Sequence, residues 1–535
     1  MNKLWYGDNL TIMQGMGMHA VDLIYLDPPF NSKQNYNLLY KTMTGKPVPE
    51  QVEAFCDTWE MDAQKEAIAR SMPMLMREHG IDDYYVDFWR LWMQALRNTQ
   101  PHLLAYLIFM VQRLLYMKSI LRPTGSIYLH CDPTASHYIK VMMDGIFGHE
   151  NFQNEIIWKR TSAHSSAKRY GPVHDVILFY TASSKFTWNP IFGDYDPQYV
   201  EAFYTHKDSD GRAWRRSDLT GAGIRHGETG LPWRGIDITA KGRHWAYIPT
   251  TLEEMDKEGK IHWPKKIGGM PMLKRYLDEQ KGVPLQDVWT DVKPIHNMAT
   301  DRLGYPTQKP VELLDRIIQA STKRGDIVFD PFCGCGTTVY SAVKNDRKWI
   351  GCDIAILSVK LVREVLTEKY RLVEGKHFTV DGIPTSVEGA EELFSKDPST
   401  FQNWFVERVG GFPMQRKSAD RGIDGRIYFE TRGGLREMML QVKGGKHVRP
   451  TDVRDLRGVL EREPNAEMAG FLSMVPATKA MRDEAATAGM FEYGGVLYPR
   501  IQFLTVYEVL AEKREFHMPT RVNTKLSTGQ QSLAL

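Results

Sequence analysis

Three short stretches of this 535-residue chain carry side chains that could do chemistry. Asp27-Pro28-Pro29-Phe30 follows the apolar run VDLIYL at 21–26. It sets a carboxylate, the Pro28 carbonyl and an aromatic face in one turn, which two prolines stiffen. Asp330-Pro331-Phe332-Cys333-Gly334-Cys335-Gly336-Thr337-Thr338 follows a second apolar run, DIVFD. Glycines there let the backbone approach a ligand, and a helix opening after them offers free amides to an anionic group. Asp353 ends the next apolar run, KWIGCDI, roughly 20 residues on, where dinucleotide folds place the acid that takes ribose hydroxyls. The third glycine of the dinucleotide fingerprint is missing, so a tight strand-to-helix connection is the plain account of that loop alone. Further along, Gly422-Ile423-Asp424-Gly425 precedes Leu440-Gln441-Val442-Lys443. An acid ending one strand and Gln-x-Lys on the next can converge around a divalent metal. A surface hairpin with two charges is the plain account there.

Elements must hold these groups in place. VDLIYL reads as a buried strand that delivers its turn at the carboxyl end. SIYLH (126–130) and VHDVILFY (173–180) read as further strands, with a helix after the first to about residue 147. VELLDRIIQAS (311–321) has helical period, and DIVFD with KWIGCDI brackets the glycine turn and a helix as a βαβ unit. Residues 41–120 are expected to form a helical insertion. The stretch 185–295 is rich in Gly, Arg and Lys and shows no clean helical period; six of the chain's 13 tryptophans fall in it. Residues 386–399 read as an acidic linker, 400–515 as a small α/β domain, and 516–535 as a flexible tail.

DPFCGCGTT resembles the S-adenosylmethionine loop of the DNA amino-methyltransferases. GYPTQKP (304–310) resembles the segment before it in their beta class. The order, DPPF first and the glycine loop last, resembles that class, including the modification subunits of type III restriction systems. The resemblance covers roughly residues 1–385, with 41–120 the least matched. It implies a Rossmann-like α/β fold with permuted motif order and S-adenosyl-L-methionine as cofactor. Asp330, Pro331, Phe332, Gly334, Gly336 and Thr337 would form the loop, Asp353 would bind the ribose, and Lys309-Pro310 would lie near the methionine end. Asp8, in GDNL, would approach the cofactor's adenine ring, although a helix cap explains it equally well.

The chemistry implied is methyl transfer to an exocyclic amine, whose lone pair is delocalised into its ring. Asp27 and the Pro28 carbonyl would draw on its protons, Pro29 would hold the turn, and Phe30 would stack on an extruded base. Tyrosine usually fills the fourth place; Phe30 loses a hydroxyl and keeps the ring. No Pro-Cys pair occurs, as a cytosine-C5 enzyme would need. Asp27 argues for adenine N6, with cytosine N4 as the alternative.

RKSADRGIDGRIYF followed by LQVKGG resembles the Mrr-like branch of the PD-(D/E)xK nucleases. That implies a restriction-endonuclease-like C-terminal domain. Asp424 and Gln441 would bind Mg2+, Lys443 would stabilise charge, and Glu407 would add an acid. The alternative is a decayed fold that only binds DNA.

Bulk properties limit the rest. A formal charge of +3 makes any nucleic-acid surface a local patch. Trp158, Lys159, Arg160, Lys168, Arg169, Arg212, Trp214, Arg215, Arg216, Lys265, Lys266, Lys274 and Arg275 are candidates for contact with double-stranded DNA. No GxxxxGK[ST] loop occurs, so translocation would need a separate motor or restriction subunit. A homodimer and a cytoplasmic location are expected. No membrane contact is, because no apolar run is expected to approach the ~20 residues of a span.

Overall fold

The computed structural model describes residues 1–29, 59–161, 170–266, 269–295, 303, 308–414, 422–432 and 434–521. It adds the backbone of strands Asn35–Leu38, Tyr40–Lys41, Val52–Cys56 and Lys525–Leu526. Two compact units result: Met1–Asn189 with Asp287–Leu535, and Pro190–Gln286.

The first unit is built on a nine-stranded sheet. Its elements run β1 (Asn2–Tyr6), α1 (Asn9–Gln14), β2 (Val21–Leu26), α2 (Ala63–Glu78), α3 (Asp83–Thr99), α4 (Pro101–Ile120), β3 (Leu121–Cys131) and α5 (Pro133–Phe147). Next come β4 (Phe152–Lys159), β5 (His174–Thr181), β6 (Val288–Trp289), α6 (Val311–Ser321), β7 (Ile327–Asp330), α7 (Thr337–Lys344), β8 (Lys348–Asp353), α8 (Ile356–Glu368) and β9 (Phe378–Asp381). Strand order is β6-β4-β5-β3-β2-β7-β8-β1-β9. The block β3-β2-β7-β8-β1-β9 is parallel throughout, and β5 is antiparallel to β3 and β4. Parallel strands bring their carboxyl ends to one edge, and ligands in such sheets bind where the chain leaves a pair of neighbours in opposite directions. Here β2 and β7 are that pair: β2 leads towards β3 on one side, β7 towards β8 on the other.

Alternation along the strands sorts the two faces. Ile24, Leu26, Ile127, Leu129, Val176 and Leu178 pack under the helices α2–α5. Tyr25, Tyr128, Trp158, Ile177 and Phe179 face α6–α8 and beyond. Helix α4 is long and apolar enough to cross a bilayer by length and composition, contrary to the expectation from sequence; most of it is buried in this core. Of the expected insertion at 41–120, among the described residues those from Ala63 onward form the helices, and Val52–Cys56 is a strand.

The same unit continues through α9 (Val387–Lys396) and α10 (Pro398–Arg408) into a five-stranded sheet. Its main elements are β10 (Gly425–Thr431), β11 (Gly434–Lys443), α11 (Pro450–Leu460), β12 (Ala466–Ser473), α12 (Lys479–Ala486) and β13 (Ile501–Thr505). β10 and β11 form an antiparallel hairpin, and β11, β12 and β13 run parallel. The 386–399 stretch is therefore helix rather than linker. Ala390, Leu393 and Phe394 repeat at helical spacing and pack into a core that also holds Tyr6, Ile356, Phe401, Trp404 and Leu440. That core runs without a break from the large sheet to the small one. The expected tail is also packed where it is described: Phe516 is buried and Arg521 donates to the Val409 carbonyl at 2.9 Å.

The second unit has its own core of Leu219, Trp233, Ile238, Trp245, Leu252, Ile261 and Leu273. These residues back an antiparallel sheet of His206–Lys207, Ala213–Asp218, Met272–Tyr276 and Ile261–His262, in that order.

Candidate active site at the carboxyl edge of the large sheet

The carboxyl ends of β1, β2, β7 and β8 gather Asp8, Asp27, Asp330 and Asp353. Asp27 leaves β2 directly. The Lys309 ammonium, buried just before α6, holds Asp27 Oδ2 in a short ion pair across 282 residues of sequence. Asp27 Oδ1 is inaccessible and has no hydrogen-bond partner among the described residues. Phe30 lies outside the described residues, as do Gly304–Thr307 of the GYPTQKP segment.

The glycine loop wraps the end of β7. Gly334 and Gly336 sit at φ 51° and 86°, the left-handed region that glycine enters without a Cβ penalty. A Cβ at Gly336 would also stand 2.7 Å from Val362 and 2.9 Å from Tyr340. Asp353 organises this turn: Oδ2 accepts from the Gly334 amide and Oδ1 from the Ala355 amide, both at 2.8 Å. Asp330 accepts from the Phe332 amide at 3.0 Å. Thr337, opening α7, donates to the Lys309 carbonyl at 3.2 Å and so ties the loop to the lysine. Pro310 precedes α6 and Pro331 carries the chain around the turn; its carbonyl accepts from Asn9 at 2.8 Å.

Burial governs the charges here. It lifts Asp330 to about 7, with Asp27 and Asp353 adding repulsion. It lifts Asp353 to about 6 against the hydrogen bonds it accepts. Asp8 caps α1 through the Leu10 amide at 2.9 Å and pairs with Arg113 of α4 at 2.8 Å. The helix-cap account thus describes it, and the buried Arg113, unremarked in the sequence, binds both Asp8 and Asn9.

A second polar chain lies on the same face and was not foreseen. His130 of β3 and Asp175 of β5 are wholly buried and meet at 3.1 Å. The Tyr25 hydroxyl is 2.8 Å from the other ring nitrogen of His130, and Arg160 lies 3.3 Å from Asp175. Burial would raise the Asp175 carboxyl, but His130, Lys309 and Arg160 together hold it below its ordinary range. Tyr25 stands two residues before Asp27 on β2, so strand alternation puts both on one side. The one hint in sequence was a histidine ending an otherwise apolar strand.

Of the nucleic-acid candidates, Trp158 is buried and Arg160 is committed to Asp175. Trp214 is buried, Arg212 pairs with Asp278 and Glu279, and Lys274 pairs with Asp208. These five hold the fold together rather than standing free. Lys168 and Arg169 lie outside the described residues.

In the small sheet, Asp424 enters β10 while Gln441 and Lys443 lie on β11. Asp424 accepts from the Val442 amide at 2.7 Å and from Gln402 of α10 at 2.6 Å. Lys443 stands 3.6 Å from Asp452 of α11. Glu407 does not join this group. Five residues after Gln402 a helix has turned about 140° from its starting direction, and Glu407 faces the start of α8 instead.

The family model described as DNA methylase, of the N6/N4 group, matches residues 21–364. The chain belongs to the N6/N4 DNA methylase family. Among its relatives, the type II methyltransferase M.EcaI of Enterobacter cloacae is 35% identical over 290 residues. That covers 54% of this chain and 62% of the relative. The Mod subunit of the type III restriction-modification enzyme StyLTI, from Salmonella typhimurium, is 26% identical over 376 residues, 66% of this chain and 52% of its own. The chain thus spans less than two thirds of either relative. A crystal structure of M1.HpyAVI with SAM covers 68% of this chain and 99% of its own, at 14% identity and a TM-score of 0.29. For the cytosine-N4-specific PvuII DNA methyltransferase the figures are 70%, 88%, 11% and 0.31. Scores this low carry nothing about chemistry.

Proposed function

We propose that the chain is an S-adenosylmethionine-dependent DNA methyltransferase acting on the N6 amine of adenine, as part of a restriction-modification system. The observation that carries the reading is the Asp27 carboxylate at the switch point of the sheet. Lys309 fixes one of its oxygens and leaves the other, buried and unmatched, as an acceptor. An acceptor fixed in that way draws on an amine proton and localises the nitrogen lone pair, while costing no reorganisation at the moment of reaction. The Pro28 carbonyl offers a second acceptor, and Phe30 a face for the base once it is taken out of the duplex.

The residues beside Asp27 fit the cofactor. Asp353 and the Gly334–Gly336 turn have the donor set and the close backbone approach that a nucleoside needs, and Asp330, Asp353 and Asp27 form an acidic wall suited to a cation. Bound there, the cofactor would supply an electrophilic methyl group on a sulfonium. Asp353 would hold the ribose, Lys309-Pro310 would border the methionine end, and Asp27 would orient the amine. Transfer of labelled methyl from S-adenosylmethionine to duplex DNA, followed by nucleoside analysis, tests the reading; N6-methyladenine is expected. N4-methylcytosine as the product would overturn the choice of base.

A second reading concerns the five-stranded sheet. Its order of helix, hairpin, crossover helix and parallel strands supports a nuclease-like unit that contacts double-stranded DNA, with Asp424, Gln441 and Lys443 on its leading hairpin. A divalent metal fits poorly. Among the described residues no group of three or more His, Cys, Asp or Glu could hold one, and both Asp424 oxygens already accept hydrogen bonds. No cleavage step is derived. Nicking of unmodified plasmid in Mg2+ would overturn the binding-only form of this reading. A homodimer, or a restriction subunit of the kind a Mod subunit implies, is the partner to look for, in the cytoplasm.

A further inference from the structure

Helix α10 leads into the small sheet, yet one of its side chains serves the large one. Glu407 faces the Ile356 amide, which opens α8, and the Lys360 ammonium one turn on, with Asp353 as its acidic neighbour. The residue that should cap α8, Ala355, offers no side-chain acceptor, so Glu407 caps it from another segment. That task uses one oxygen. Oε2 is inaccessible and has no hydrogen-bond partner among the described residues. Tyr6, ending β1, closes the same corner: its hydroxyl donates to the Thr400 carbonyl of α10 at 3.4 Å. Its phenol is raised by burial and then by Glu407, Asp397 and Asp353. A buried carboxylate oxygen with nothing to accept from is costly, so it takes either a proton or a ligand's donor.

We propose that Glu407 is a further cofactor-binding residue, its Oε2 accepting a hydrogen bond from the nucleoside half of the methyl donor beside Asp353. The proposal rests on the methyl-transfer reading above. It makes the C-terminal segment part of the donor pocket, which explains why one core runs through both sheets. Burial and Asp353 keep the free carboxyl protonated up to about 8, so the nucleoside must displace a proton. Binding then strengthens as pH rises through that range. The groups facing Glu407 are Asp353 from β8, Lys360 from α8 and Tyr6 from β1, the last of which also feels Asp397 before α10. Asp353 titrates lower, at about 6.

The test is calorimetric binding of 5′-methylthioadenosine, which carries the nucleoside without the amino-acid part, to the full chain between about pH 6.5 and 8.5. Wild-type affinity should rise severalfold across that span. Glu407→Gln keeps an oxygen for the Ile356 amide, so its melting temperature should stay near wild type. Its affinity at the upper pH should fall about tenfold, and its pH dependence should flatten. Glu407→Ala should weaken 5′-methylthioadenosine and S-adenosylhomocysteine by the same factor, since both carry the lost contact. If Glu407→Gln binds like wild type with an unchanged pH profile, Glu407 is a helix cap and the proposal is overturned. The methyl-transfer reading then stands, provided Asp353→Ala still abolishes binding. Wild-type protein that binds neither nucleoside at any pH would overturn both.

Discussion

Both sheets of the first unit end strands in acids, and the two edges answer those acids differently. At the large sheet, Asp27, Asp330, Asp353 and Asp175 crowd together, largely buried. Lys309, His130, Arg160, the Thr338 and Ser358 hydroxyls and a few backbone amides are donors the structure sets against them. Burial leaves Asp330 raised to about 7 and Asp353 to about 6, with repulsion from Asp27 and Asp353 adding at Asp330, and a cationic ligand would relieve it. At the small sheet Asp424 is met by the neutral Gln402 and the Val442 amide, and Lys443 turns to Asp452. The first edge concentrates acids beyond the donors that answer them. The second has the strand geometry of such a site without its density of charge.

The largest expected effects test that contrast. Asp27→Ala should cut methyl transfer by about a thousandfold or more, while calorimetric binding of the cofactor survives. Equal loss of binding would move Asp27 to the donor side. Gly336→Val should have the converse effect. Strain at φ 86° and contacts under 3 Å with Val362 and Tyr340 should abolish cofactor binding in a chain that still folds by circular dichroism. Normal binding would show that the loop is not the donor site.

Asp175→Ala should act on stability. Removing one partner of a wholly buried pair leaves His130 Nε2 unanswered, at a cost of about 1–3 kcal/mol in denaturant unfolding. A loss under about 1 kcal/mol would mean that water replaces the carboxylate. Lys443→Ala at the other edge should leave methyl transfer within about twofold of wild type, because among the described residues Lys443 pairs with Asp452 and Asp27 with Lys309, with no shared partner. A large loss would couple the two edges.

The smallest effect is a matter of pH. Asp330 binds its proton more tightly folded than unfolded, so the folded state loses stability as pH rises from about 4 to about 7 and stays at that lower level above. Asp330→Asn keeps an oxygen for the Phe332 amide and removes the charge. It should therefore raise the melting temperature by a few degrees at pH 8 and change it little at pH 4. An unchanged or lower melting temperature at pH 8 would show that the acidic edge is relieved by hydrogen bonding alone.

Local signals made much of the site legible. A buried strand ending in Asp-Pro-Pro, and a βαβ unit with two glycines at its turn, declare themselves within twenty or so residues. What was not legible depends on contacts across the sheet. Arg113 meets Asp8 from 105 residues away, and His130 meets Asp175 only because β3 and β5 pair in one register. Helix phase misled as well. Glu407 looked available to Asp424 by distance along the chain, yet it lies about 140° around α10 from Gln402, the residue that does reach Asp424. In 386–399 the acidic composition hid the Ala390, Leu393 and Phe394 stripe that makes it a packed helix.

The most direct test of the central claim is methylation-aware sequencing of DNA from cells that express the wild-type chain or Asp27→Ala at equal protein level. The account predicts N6-methyladenine at one short recurring sequence with the wild type, and none with Asp27→Ala. The same modified base at the same sites in both strains would contradict it, because methylation would then proceed without the carboxylate that the large sheet is arranged to present.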